Sequence, residues 1–223
     1  MPAVFTAAPA AFPFMIQPLV LGTTNSGKVR ELVALLAPFG IGCESLAGLP
    51  EAVEVEETGD TFAANAALKA TAQAVALRRW VLAEDSGLVV PALGGAPGVF
   101  SARFAGAVAG EPREATDGRN NTLLLERLAG SRGPARAAHY ACHAALAAPD
   151  GRIVAVAAGT CGGLIGETPA GAGGFGYDPL FIVPEYHRTF GELAPAVKSV
   201  ISHRGRALRA LLPAIVAALS GPR

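Results

Sequence analysis

Residues 18 to 22, PLVLG, form a short apolar run closed by glycine, the pattern of a buried strand entering a turn. After Lys28, Val29, Leu32, Val33 and Leu36 recur at helical spacing until Pro38 and Gly40 stop the helix. This strand–turn–helix opening points to an α/β protein. Residues 41 to 57 are expected to return as a strand that ends in the acidic run Glu54, Glu56, Glu57. Asp60 reads as the N-cap of a helix over about residues 61 to 79, in which Asn65 and Lys69 share a face. Trp80 to Ala83 forms a short apolar strand that delivers Glu84-Asp85-Ser86-Gly87.

The Gly, Pro and small residues across 91 to 119 predict an ordered loop region, followed by a helix over about 116 to 129 with Leu123, Leu124 and Leu128 inward. Residues 136 to 148 and 152 to 165 are strand-like runs joined by Pro149-Asp150-Gly151, a hairpin signal. A Gly-rich loop over 170 to 179 leads into a strand at Leu180 to Val183. The last helix starts at about 203, with Leu208, Leu211, Leu212, Ile215 and Leu219 inward; Pro213 should kink it or begin a new helical segment. No internal repeat or linker interrupts residues 19 to 223, which are read as one domain with a mixed sheet.

Composition narrows the function classes. Lys and Arg number 18 against 18 Asp and Glu, so the formal charge is zero, which argues against a broad nucleic-acid or anionic-membrane surface. A specific anion pocket needs only a few local cations. Half the residues are apolar, but much of this is alanine, and no charge-free run approaches a membrane span. Cys43, Cys142 and Cys161 lack metal-ligand spacing and read as free, reduced thiols of a cytosolic protein. Residues 1 to 18 are apolar, but they lack the basic start of a signal peptide and carry four prolines. They read as a disordered extension or the product of a start codon placed too early, outside the fold.

Four segments could carry chemistry. Gly22-Thr23-Thr24-Asn25-Ser26-Gly27-Lys28 fills the first seven positions of the phosphate-cradling pattern G-x-x-x-x-G-K-[ST], but Val29 stands where that pattern needs a hydroxyl for magnesium. A turn at a helix N-terminus offers free backbone N–H groups and a positive dipole end. The segment is either a phosphate grip or a turn that uses Asn and Gly for backbone shape. Glu56, Glu57, Glu84 and Asp85 lie at the ends of expected neighbouring strands and could converge on a hard cation, or form solvated acidic loops. In Gly173 to Pro179 the glycines let backbone approach a flat ligand, while Phe175 and Tyr177 offer faces for stacking, unless they are ordinary core aromatics. Lys198, His203 and Arg204 gather donors around the start of the last helix, as a solvated terminus or as an anion- or base-reading site. Phosphate donors, carboxylates and a stacking loop in one α/β chain favour a nucleotide-handling enzyme.

The segments TTNSGKVREL, EETGDTFAANAALKA, EDSGL, LGGAPGVFSARFAG, GGFGYDPLF and KSVISHRG follow the order seen in inosine/xanthosine triphosphate pyrophosphatases, which the chain resembles over about residues 19 to 217. The resemblance implies a cytoplasmic, magnesium-dependent homodimer that hydrolyses ITP, dITP and XTP to the monophosphate and pyrophosphate. It implies an elongated mixed sheet flanked by helices, with a cleft between two lobes. Thr23, Thr24, Asn25, Ser26, Gly27 and Lys28 would bind the triphosphate, and Lys28 would also stabilise the leaving group. Asp85 would be the general base and a metal-associated carboxylate, with Glu56 rather than Glu57 as its metal partner. Ser86 would touch substrate; Phe175, Gly176, Tyr177 and Asp178 would enclose base and sugar; Lys198, His203 and Arg204 would contact the base. Ala64 stands where the family often has Glu, and Glu84 where Asp is common. Two other classes stay open: a P-loop-like NTPase or kinase acting at the γ-phosphate, and a non-catalytic nucleotide sensor.

Overall fold

A computed structural model describes residues 18 to 220; the expected extension over 1 to 18 falls, apart from Pro18, outside the described residues. A seven-stranded sheet runs in the order β2-β1-β3-β4-β5-β6-β7. Its strands are β1 Leu19–Leu21, β2 Cys43–Ser45, β3 Val81–Val89, β4 Ala137–Ala147, β5 Ile153–Ile165, β6 Phe181–Val183 and β7 Arg188–Thr189. β1 is parallel to β2 and β3, and every later pairing is antiparallel. The helices are α1 Ser26–Leu36, α2 Phe62–Leu77, α3 Arg113–Arg127, α4 Pro195–Ile201 and α5 His203–Ser220. The mixed sheet flanked by helices agrees with the expected fold class.

Strand alternation sends successive side chains to opposite faces. Leu19, Leu21, Leu82, Cys142 and Leu146 pack against Leu32 and Leu36 of α1 and Leu208, Leu211 and Ile215 of α5. Val20, Val81, Ala83 and Ala145 pack against Ala66, Ala70 and Ala74 of α2. The alanine-rich stripe explains the close seat of that helix: small side chains let its backbone approach the sheet. A further core gathers Leu88, Leu124, Leu128, Tyr140, Tyr177 and Phe181 around the far half of β3 and β4.

Several expectations change. The strand expected over 41 to 57 is only β2, because the Ser45 hydroxyl accepts from the Ala47 N–H at 3.2 Å and starts a 3-10 turn at Leu46–Gly48. The chain beyond it is irregular, and Gln73 of α2 holds it at both backbone atoms of Val53, at 3.2 and 2.5 Å. Thr61, not Asp60, caps α2, its hydroxyl accepting from the Ala64 N–H at 3.1 Å. Helix α3 begins at Arg113, directly after Pro112, and leaves Leu123 half-buried while Leu124 and Leu128 are buried. Val33 points outward from α1 and is exposed. Pro213 starts no new segment: α5 runs through it to Ser220. All three cysteines are free. Among the described residues no helix is long and apolar enough to cross a membrane.

The change with the largest consequence is β3. Glu84 to Gly87 do not follow the strand; they lie inside it. Alternation therefore sends Glu84 and Ser86 to the α5 face and Asp85 to the α2 face.

Candidate active site

β1 pairs with β3 only at Val81 and Leu82, then leaves the sheet at Gly22. A Cβ on Gly22 would lie 2.8 Å from the Ala83 Cβ, so the turn passes too close for any side chain. Beyond that point, up to an isolated bridge between Val89 and Pro97, β3 pairs along its β4 edge alone among the described residues. Facing the other edge, the short 3-10 helix Gly98–Arg103 packs on β3, with the Leu88 N–H donating to the Ser101 hydroxyl at 2.9 Å. The result is a cleft of about 360 Å³, whose lining includes Thr23, Lys28, Glu57, Asp85, Phe175 and His203. That volume is typical of a small-molecule site.

At one end lies the turn into α1. The Asn25 carboxamide oxygen accepts from the Lys28 N–H at 3.1 Å and caps the helix, while the Asn25 N–H donates to the Thr23 hydroxyl at 3.2 Å. These bonds aim the first turn of α1 at the cleft, where its remaining N–H groups can meet an anion. Thr23, Thr24, Asn25 and Lys28 line the cleft. Ser26 is exposed, and Gly27 is buried. A Cβ on Gly27 would sit 2.6 Å from the Phe175 ring, so glycine here allows the loop before β6 to dock on α1.

Asp85 is fixed from α2. Its carboxylate accepts from Asn65 Nδ2 and from Lys69 Nζ, both at 3.2 Å. Lys69 also donates to Glu57 at 2.6 Å. One ammonium thus joins two carboxylates from separate segments. Burial alone would lower the Lys69 pKa, but Asp85 and Glu57 outweigh it and raise the value. The two glutamates of the acidic run sit differently. Glu56 is exposed and does not line the cleft, whereas Glu57, next to it in a tight turn where the Thr58 N–H donates to the Glu56 carbonyl at 3.1 Å, faces in.

Glu84 is 1 % exposed and belongs to a different network on the other face of β3. It accepts from Arg204 Nε at 3.1 Å and pairs with Lys28 Nζ at 3.2 Å. Burial would raise its carboxyl, but Arg204, Lys28, Lys69 and the Ser86 hydroxyl hold it far below the usual carboxylate range. Arg204 also donates to Ser86 at 2.9 Å and to Glu31, which Lys198 contacts at 2.7 Å. Glu31, one helical turn after Lys28, joins these cations, and sequence reasoning missed it. The signal was the spacing of three residues that puts the two on one face of α1.

Phe175 lies half-buried beside the turn into α1, with Lys198 Nζ 5.0 Å and the Arg204 guanidinium 5.7 Å from its ring centre. Asp178 accepts from the Phe175 N–H at 2.8 Å and from Lys198, and so shapes its own loop. Gly176 is held by Asp117, which accepts its N–H at 2.8 Å, and by Asn121, which donates to its carbonyl at 3.1 Å. Tyr177 is only 3 % exposed: it packs among Leu124, Leu180 and Phe181 and donates to the Ser101 carbonyl at 2.9 Å, so most of the ring is core, although the residue still lines the cleft. His203 stacks on Tyr140 at 4.6 Å and leaves its Nδ1 buried without a partner. Burial, with Arg204 beside it, pushes its pKa well below the ordinary histidine value, so the ring is neutral at pH 7.

Among the described residues no three His, Cys, Asp or Glu side chains cluster as a ready-made metal cage. Two carboxylates drawn around one ammonium do suit a cation that takes its other ligands from water and substrate phosphates, as magnesium does. Glu57 and Asp85 meet that description; Glu84, on the opposite face of β3, does not.

Comparison with known proteins places this arrangement. The model of the Ham1 family matches residues 19 to 214. A dITP/XTP pyrophosphatase of an Exiguobacterium species is 51% identical, over 91% of this chain and 99% of its own. One from Rhodopirellula baltica is 49% identical, over 89% of this chain and 92% of its own. The solved structure of a HAM1 protein from Coxiella burnetii is 37% identical and superposes with a TM-score of 0.77, covering 90% of this chain and 98% of that one. With its six motifs, its mixed sheet and its cleft at the end of β1, the chain belongs to the Ham1 family.

Proposed function

We propose that this protein is a nucleoside triphosphate pyrophosphatase that converts ITP, dITP and XTP to the monophosphate and pyrophosphate with magnesium, and so cleanses the nucleotide pool. The observation that carries this reading is one cleft that gathers two unlike sets of groups. Lys28, the α1 turn and the Glu57–Asp85 pair form one set, Phe175, Lys198 and His203 the other, and all line the same cavity. The activity named for relatives about half identical to this chain supports the same substrate class.

In this reading the turn Thr23–Lys28 holds the phosphate chain through backbone N–H groups and the Lys28 ammonium. Glu57 and Asp85 hold the cation, which neutralises phosphate oxygens when bound. Asp85, oriented by Asn65 and Lys69, accepts the proton of the attacking water. The water oxygen bonds to the α-phosphorus, the bridging bond to the β-phosphate breaks, and Lys28 stabilises charge on the departing pyrophosphate. Ser86 bonds the substrate at the middle of the cleft.

At the base end Phe175 stacks on the purine, and Gly176 and Asp178 shape the loop around base and sugar. Arg204 is fully committed to Glu31, Glu84 and Ser86, so its contact with the base is chiefly through the face it shares with Phe175. The remaining Lys198 proton is the donor for the purine six-position. A carbonyl there pairs with a donor; the adenine amino group leaves that donor unpaired, which discriminates strongly. The same reading makes the protein a cytoplasmic homodimer.

Turnover of ITP in ¹⁸O-water tests the chemistry. Label in the monophosphate supports attack at the α-phosphorus. Label in pyrophosphate, or in orthophosphate from the γ-position, would sink it.

A further inference from the structure

Glu57 is the point where cations from two sides of the cleft meet. Lys69 of α2 is mostly buried and tied to Asp85 as well, so it is fixed. Arg103 comes from the other side, at the end of the 3-10 helix that packs on β3. Its Nη1 lies 3.5 Å from the free Glu57 oxygen, Oε2, without a hydrogen bond as close as that of Lys69. The guanidinium rests 5.3 Å from the centre of the Phe100 ring, an exposed aromatic that supports the arm without tying it. The Arg103 side chain is 39% exposed and that of Glu57 26%. An ion pair this long and this wet contributes little and exchanges partners readily.

Lys28 grips the phosphate chain from the α1 side, but nothing assigned so far reaches it from the Gly98–Arg103 side. We propose that Arg103 is a phosphate-binding residue of this enzyme: it rests on Glu57 when no cation is bound, and it transfers to the departing pyrophosphate once Glu57 holds one. The exchange follows from charge. A carboxylate that ligates a divalent cation has less need of the guanidinium, and a planar fork of N–H donors fits phosphate oxygens in pairs. Arg103 then closes on the leaving group opposite Lys28. This inference rests on the pyrophosphatase reading above.

The two roles act in opposite directions, which makes them separable. Arg103→Gln removes a cation that competes for Glu57, so Mn²⁺ should bind the nucleotide-free protein about two- to fivefold more tightly. The same variant loses a charge-assisted bond to phosphate, so pyrophosphate with Mg²⁺ should bind about tenfold more weakly by calorimetry. Arg103→Lys should fall between Gln and wild type for pyrophosphate. A general packing defect would weaken both ligands together, and that result overturns the proposal. Pyrophosphate affinity within about twofold of wild type, or unchanged Mn²⁺ affinity, overturns it too. Wild-type ITP turnover, run on the same preparation, separates the two levels. Pyrophosphate release with an indifferent Arg103→Gln variant removes Arg103 alone, whereas no pyrophosphate release removes the pyrophosphatase reading and Arg103 with it.

Discussion

Replacing Glu84 with Gln removes the buried charge that joins the phosphate end to the base end while keeping its shape. Glu84 is 1% exposed and lies between Arg204 Nε at 3.1 Å and Lys28 Nζ at 3.2 Å. Leaving a buried ion without its partner costs about 3–5 kcal/mol. Two features set the loss at the lower end. The Gln carbonyl can still accept from Arg204, and Arg204 keeps Glu31; about 3 kcal/mol is therefore expected at pH 7. The pH dependence has a definite sign. The folded-state pKa of Glu84 lies below its unfolded value of about 4.3, so its stabilisation is complete above that pH and is lost as pH falls toward the folded value. The gap between wild type and variant should be widest near neutrality and narrow steadily below about pH 4. Urea unfolding followed by the fluorescence of the single tryptophan, Trp80, reads it directly. A gap under about 1 kcal/mol at pH 7, or one that widens in acid, would refute the reasoning.

Other expectations concern catalysis and ligand binding. Asp85→Asn should lower ITP turnover by about a hundredfold or more while ITP binding, read by calorimetry, stays within a few-fold of wild type. Lys28→Ala should raise the ITP KM about tenfold, whereas removing residues 1 to 17 should leave it within about twofold; equal effects would count against the phosphate turn. Glu57→Gln should abolish most Mn²⁺ binding and Glu56→Gln should not, an order that reverses if Glu56 is the ligand after all.

Much of this was legible in the chain. The apolar run before Gly22, the spacing after Lys28 and the hairpin at Pro149 to Gly151 each forecast a real element, because local pattern and tertiary role agree there. Asn65 and Lys69 were visible as one face of a helix, and both reach Asp85. The rest depended on register and burial, which the sequence pattern leaves open. Glu84 and Asp85 looked like neighbours with one task until strand alternation put them on opposite faces. Choosing Glu57 over Glu56 depends on which side chain an irregular segment turns inward, and no periodicity foretells that. Tyr177 and Phe175 are alike in composition, yet one fills the core and the other edges the cleft. Glu31 carries no motif, and its role needs α4 and α5 brought against α1.

In the proposed function the cleft cuts between the α- and β-phosphates of deaminated purine nucleotides. The most direct measurement is a panel of nucleoside triphosphates with magnesium, scored separately for pyrophosphate and orthophosphate. ITP, dITP and XTP should yield pyrophosphate, with ATP turned over about a hundredfold more slowly. Orthophosphate as the product, or ATP hydrolysed as fast as ITP, would contradict it.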